Sequence, residues 1–224
     1  MYRHVLDCDF KEAIASLTGE AMGQPRWRPQ LAAVPLDEAP ETTTTADTMS
    51  VWNASVDPRG TISGNVYLPS RSLVLGDDVA GSVLRWHPGI GALVALFRNI
   101  RTGEPQGVSR IMLDREGRNR LKPDGQKMKL FLGPVGGAAV MLDPFESVLG
   151  GRLHIGEGVE TCLAARQLGL RPCWALGSTS GIGTFLIIDS VRSLTLLEEN
   201  DGDDKGKSKD ACEVAAARWH AAGR

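Results

Sequence analysis

Apolar and polar positions recur with different periods along this chain, and each change of period marks a boundary. Residues 9–19 set Phe10, Ala13, Ile14 and Leu17 on one face and stop at Gly19, which predicts a short amphipathic helix. Residues 21–46 lose that period, running through Pro25, Pro29, Pro35 and Pro40 to four consecutive threonines. Such a stretch reads as a flexible linker, because it cannot bury enough apolar surface to offset its ordering entropy. Helical spacing returns through Met49, Val51 and Trp52, breaks at Pro58 and Gly60, and resumes over Ile62, Val66 and Leu68, so two short helices are expected before Arg71. Extended segments follow at 83–86, 92–98, 107–113, 127–132 and 138–142, with a hairpin-type connection at Arg101, Thr102, Gly103, Glu104 and Pro105. The middle of the chain is therefore expected to be mostly antiparallel β.

Beyond the glycine-rich residues 133–137 the pattern becomes an alternation of strand and helix. Strands are predicted at 153–155, 172–176 and 193–197, with helices at 159–168, 181–191 and 210–221. That order implies a parallel sheet with right-handed crossovers, whose strands all end on one rim. The first of these strands ends in Gly156, Glu157 and Gly158. A carboxylate is thus set in a tight turn at a strand end, where ligands bind in open α/β sheets.

Composition bounds the class. The 224 residues are 42% hydrophobic and 23% charged, with a formal net charge of −2, as in a soluble globular protein of one or two domains. No apolar run approaches the roughly 20 residues of a membrane span, and Arg3, His4, Asp7 and Asp9 break up any signal-peptide core, so a cytoplasmic location and no membrane partner are expected. Cys8, Cys162, Cys173 and Cys212 form no CxxC pair and read as reduced, packed thiols. Charge is uneven: residues 98–129 hold nine basic and four acidic side chains, a local net of +5. A basic surface in a slightly acidic protein suits phosphates or nucleic acid. Within it Arg98, Arg110, Lys127 and Lys129 are the candidate nucleotide and nucleic-acid contacts, the two lysines being two apart and hence on one face of a predicted strand.

Acids collect at the ends of the first and third C-terminal strands. Glu157 follows one, while Glu199, Asp201 and Asp203 follow the other. Hard cations such as Mg²⁺ or Mn²⁺ prefer carboxylate oxygens with water and phosphate, so Glu157, Glu199, Asp201 and Asp203 are the candidate metal ligands. Glu157 is also the candidate catalytic base. The competing motif, Gly202 to Ser208 ending in Gly-Lys-Ser, has three residues between its glycines where a phosphate-binding P-loop has four, and two of them are aspartates that would repel a phosphate.

Glu157-Gly158-Val159-Glu160-Thr161, followed some forty residues later by Glu199-Asn200-Asp201, resembles the Toprim domain of primases, topoisomerases and some nucleases. The fuller string from Gly133-Pro134-Val135-Gly136-Gly137 through Cys173-Trp174-Ala175-Leu176 to Arg218-Trp219 is similar to Toprim-containing primase proteins of phages, plasmids and integrated mobile elements. Gly60-Thr61, Tyr67-Leu68, Ser70-Arg71 and Gly107-Val108-Ser109-Arg110 look like the domain that precedes Toprim in that family. The resemblance implies an α/β fold, with a C-terminal Toprim-like parallel sheet flanked by helices after a mixed α+β, largely antiparallel, domain. It divides the chain into an N-terminal helix at 1–20 as a remnant of a zinc-ribbon region, a linker at 21–46, a primase-like domain at 47–150 and a Toprim domain at 151–224. It further implies a DNA primase that joins ribonucleotides on single-stranded DNA with Mg²⁺ or Mn²⁺, using nucleoside triphosphates and working beside a helicase or zinc-ribbon partner. In that resemblance Glu157 matches the catalytic glutamate, and Glu199 with Asp201 matches an Asp-x-Asp pair. The alternatives are a Toprim metal-dependent nuclease and a catalytically degenerate nucleic-acid-binding protein.

Overall fold

A computed structural model describes residues 45–199 and 206–224. The helix expected at 9–19, and the expected linker as far as residue 44, lie outside the described residues. Residues 45 and 46 open the first described helix, α1 (Thr45–Asn53). A π-helical turn, Ser63–Tyr67, runs directly into the single turn α2 (Leu68–Ser70), which carries Pro at its start, where the missing N–H is harmless.

Eight strands form one open mixed sheet: β1 (Leu84–His87), β2 (Ala92–Asn99), β3 (Pro105–Met112), β4 (Lys129–Leu132), β5 (Ala138–Met141), β6 (Arg152–Gly156), β7 (Cys173–Ala175) and β8 (Ser193–Leu197). Their order is β4-β3-β2-β5-β7-β6-β8, with β1 also pairing β2. The strands from β1 to β5 pair antiparallel, whereas β6 pairs parallel with both β7 and β8. Strand β5 joins the two regions, antiparallel to β2 through Arg98↔Ala139 and to β7 through Val140↔Ala175.

Both faces of the sheet are covered, as a mixed sheet with crossover helices requires. On one face α3 (Val159–Gln167) and the segment around Tyr67 and Leu73 bury Leu93, Phe97, Val140 and Ala175. On the other face α1 packs Trp52 on Val94, Leu96 and Val108. That same face, further along, takes α4 (Thr179–Gly183) and α5 (Lys207–Ala221), with Ile182, Cys212, Ala215 and Trp219 around Leu153, Ile155 and Trp174.

Two sequence expectations change. The helix expected over 181–191 is helical only at Thr179–Gly183. Phe185, Ile188 and Val191 are buried at helix-like spacing but in irregular backbone, and Arg218 donates to the Gly183 and Phe185 carbonyls in place of a continuing helix ladder. Strand β4 begins at Lys129, because the Lys129 N–H turns back to the Lys127 carbonyl at 3.0 Å. Lys127 instead makes an isolated bridge with Leu121, so the strand face expected to carry both lysines does not extend to it.

Candidate functional site

Strand β6 ends at Gly156, and the chain turns through Glu157 into α3, whose N-cap is Gly158. A Cβ on Gly156 would lie 3.0 Å from Cys162 Sγ and 3.3 Å from Leu197 Cβ, so the bare backbone is what lets α3 settle against β6 and β8. Gly158 has ordinary extended dihedrals (φ −91°, ψ 146°), which any residue can adopt. What excludes a side chain there is Glu199, because a Cβ would lie 2.9 Å from its Oε1.

Glu199 follows β8, which runs beside β6 with Leu197 opposite Gly156. Its Oε1 accepts the Gly158 N–H at 3.0 Å and the Thr161 hydroxyl at 2.6 Å. The Glu199 N–H in turn donates to Ser208 Oγ of α5 at 3.1 Å. The carboxylate therefore satisfies the N–H of the N-cap residue, the part that an acid at the third helical position plays in a capping box, and it lies at the positive end of the helix. Glu157 is half-buried, and its carbonyl accepts the Gly177 N–H at 2.9 Å, which ties the end of β6 to the end of β7.

Sequence order reverses at β6. The chain passes from β6 to β7 over the face covered by α3, then returns across β6 to β8 by way of α4 on the opposite face. In open α/β sheets such a switch point leaves a crevice at the carboxyl ends of the strands, and Glu157 and Glu199 stand on either side of it. The structure thus places these two residues at the ends of neighbouring strands. Asp201 and Asp203 lie outside the described residues, and among the described residues no three His, Cys, Asp or Glu side chains converge as a metal cluster. The two carboxylates are the hard oxygen donors that Mg²⁺ or Mn²⁺ takes, and they fit such an ion as part of a ligand set.

The basic candidates separate. Lys129 donates from Nζ to the Gly177 carbonyl at 2.8 Å, with its ammonium 5.6 Å from the Phe131 ring centroid. Since the Gly177 N–H serves the Glu157 carbonyl, a single residue, Gly177, links Lys129 to the backbone of the β6 end. Gly177 is required there twice over: its φ is +85°, and a Cβ would come within 2.8 Å of Phe97 Cζ. Arg110 faces the opposite side of the sheet, aligned with Leu130 while Lys129 aligns with Ile111. Its Nη2 donates to the Phe131 carbonyl at 3.2 Å, its buried Nε has no partner among the described residues, and burial pushes its pKa down. Arg98 closes the β2–β3 hairpin by donating to the Gly103 carbonyl at 3.1 Å. Lys127 is exposed.

Several residues around the rim were not among the sequence candidates. Tyr67 is buried, and its hydroxyl donates to Glu160 Oε1 in the first turn of α3 at 2.5 Å. Burial and the Glu160 charge raise the phenol's pKa beyond its ordinary value. The Arg71 guanidinium lies 5.3 Å from the Tyr67 ring centroid and 3.9 Å from Glu160, and it donates to Asn119 Oδ1 at 2.9 Å. On the far side of α3, buried Asp143 accepts from Arg166 at 3.0 Å and from the Cys173 N–H at 2.8 Å, and also pairs with Arg171. The available sequence signal was the start of α3 itself: a helix entered as Gly-Val-Glu-Thr has no capping side chain of its own and needs an acceptor from elsewhere.

In comparison with known families, the model of a family described as Domain of unknown function (DUF7146) matches residues 42–142. That span takes in β1 to β5, Arg98, Arg110, Lys127 and Lys129, and ends before Glu157. No curated protein and no solved structure matches the chain.

Proposed function

We propose that the protein is a metal-dependent nucleotidyl transferase of the primase type, which builds primers on single-stranded DNA during replication of a phage, plasmid or mobile element. The observation that carries this reading is the placement of Glu157 and Glu199 at the ends of neighbouring parallel strands, with Gly177 bonded both to the Glu157 carbonyl and to Lys129. The parallel β7-β6-β8 arrangement, covered by α3 on one face and by α4 and α5 on the other, supports a Toprim-like C-terminal sheet. In the reaction a 3′-hydroxyl attacks the α-phosphorus of a nucleoside triphosphate, and pyrophosphate leaves. Glu157 accepts the hydroxyl proton, Glu199 holds the second side of the crevice, and Lys129 offers positive charge to the phosphates. Mg²⁺ or Mn²⁺ held by Glu157 and Glu199, with Asp201 and Asp203 as further ligands, would supply Lewis-acid stabilisation of the phosphoryl group.

The test is primer synthesis from ribonucleotides on single-stranded DNA with Mg²⁺ or Mn²⁺, and its loss in Glu157→Gln. A wild-type protein that makes no primer, even beside a helicase or zinc-ribbon partner, overturns the reading. Cleavage of labelled DNA without nucleotides would instead identify a metal-dependent nuclease. One observation favours a second reading, a catalytically degenerate nucleic-acid-binding protein: Glu199 already spends Oε1 on capping α3. Calorimetry that detects no Mg²⁺ or Mn²⁺ binding, while salt-dependent DNA binding persists, would select it.

A further inference from the structure

An open cleft of about 800 Å³ lies between the β1–β2 turn and the excursion that joins β3 to β4. Its volume is within the usual range for a ligand site. Ile62, Trp86, Ile90 and Leu113 give it an apolar floor, and Arg115 and Arg120 stand on its wall.

The wall is preformed. Asp114 Oδ1 accepts the backbone N–H groups of Glu116 and Arg118 at 3.0 and 2.8 Å, folding residues 114–118 into a closed turn. Gly117, at φ +77°, sits so close to Val66 that a Cβ would meet Val66 Cγ1 at 2.8 Å, which seats the turn on the π-helical segment. Arg120 is held in a ladder, its N–H donating to Met112 and its carbonyl accepting from Met128 at 2.8 and 2.7 Å. The floor is tied in as well, with the Leu113 N–H donating to the Gly91 carbonyl at 2.8 Å.

Charge in the cleft is divided unequally. Arg118 pairs with both acids of the wall, Asp114 at 2.9 Å and Glu116 at 3.1 Å. Arg115 and Arg120 make no ion pair or side-chain hydrogen bond among the described residues. Two uncommitted guanidiniums therefore face solvent beside an apolar floor. That combination suits a ligand with an anionic backbone and flat apolar faces. A duplex stacks those faces away from contact, whereas a single strand presents them.

We propose that this cleft binds a segment of single-stranded nucleic acid, with Arg115 and Arg120 on consecutive phosphates and a base over the apolar floor. The inference rests on the nucleic-acid reading above but uses none of the residues that reading assigned to nucleotide contact. Fluorescence anisotropy with a fluorescein-labelled oligothymidylate of 20 nucleotides, titrated at several salt concentrations, tests it on the full chain. For Arg115→Ala/Arg120→Ala the expected result is a Kd raised at least about tenfold and a log–log salt slope shallower by about 1.4, two phosphate contacts at about 0.7 each. Arg115→Lys/Arg120→Lys, which keeps both charges, is expected to retain the wild-type slope, and that retention excludes a folding defect as the cause. Wild-type affinity and slope in the double alanine variant overturn the cleft and leave the primase reading standing. A wild-type protein that binds no oligonucleotide overturns both. Loss of ATP binding in the double variant, with oligonucleotide binding intact, overturns the single-strand assignment in favour of a mononucleotide site.

Discussion

Glu199→Ala removes the acceptor of two hydrogen bonds at the entry to α3, from the Gly158 N–H at 3.0 Å and from the Thr161 hydroxyl at 2.6 Å. Each such hydrogen bond contributes about 0.5–1.5 kcal/mol net. Loss of a negative charge from the helix N-terminus adds about 0.3–1 kcal/mol at a partly exposed position. The alanine variant should therefore lose about 2 kcal/mol in all. Glu199→Gln keeps an oxygen that can accept both bonds and forfeits mainly the charge, so about 0.5–1 kcal/mol is expected. With a urea dependence of about 2 kcal/mol per molar, the midpoint should fall by about 1 M for alanine and by about 0.25–0.5 M for glutamine. The metal role predicts a different order. Both variants remove a carboxylate ligand, so both should lose Mg²⁺ or Mn²⁺ affinity to the same degree in calorimetric titration. A graded loss of stability beside an equal loss of metal binding would separate the cap from the ligand. An alanine variant whose urea midpoint stays within about 0.2 M of wild type refutes the capping argument.

Three other outcomes are expected. Asp143→Ala strips a buried carboxylate from Arg166, itself 7% exposed, and should cost about 3–5 kcal/mol in urea unfolding; a loss below about 1 kcal/mol contradicts the network. Gly177→Ala places a side chain at φ +85° against Phe97 and Phe131, and should lower stability by about 2–4 kcal/mol through backbone strain and overpacking, whereas a neutral effect would show that the turn can move. Burial, with the charge of Arg152 adding to it, pushes the His154 pKa below its ordinary value. The unfolded chain then takes up a proton near pH 6.5 that the folded chain refuses, so stability falls as pH drops from about 6.5 toward the lower folded value. The urea midpoint of wild type should drop more between pH 7.5 and 5.5 than that of His154→Gln, and parallel drops would assign the pH dependence to other groups.

Much of the layout was legible from periodicity because the elements are short and separated by glycine and proline. Strands β1 to β8 all lie at the predicted segments, and Glu157 stands at the expected strand end, where Gly156 lets α3 settle against β6 and β8. What was not legible depends on contacts between distant residues. The period that suggested a helix over 181–191 is real burial of Phe185, Ile188 and Val191, but Arg218, more than thirty residues on, supplies the donors that hold this backbone irregular. Lys127 and Lys129 have the spacing of a strand face, and a turn between them cancels it. Glu199 was read as a ligand, yet its role as the cap of α3 depends on a register with β6 that no local pattern encodes. The charge of Arg110 drew attention, whereas the more informative feature is that its Nε is buried without a partner among the described residues, on the face opposite Lys129.

Strand β5 has four residues, all buried, and they alternate between the two faces: Ala138 and Val140 on one, Ala139 and Met141 on the other. Its backbone pairs with β2 through two residues and with β7 through two. Neither the antiparallel nor the parallel region can therefore lose its packing at this point without exposing apolar surface that belongs to the other. The described sheet should melt in a single cooperative transition, and hydrogen exchange at Val140 and Ala175 should follow global unfolding rather than local opening.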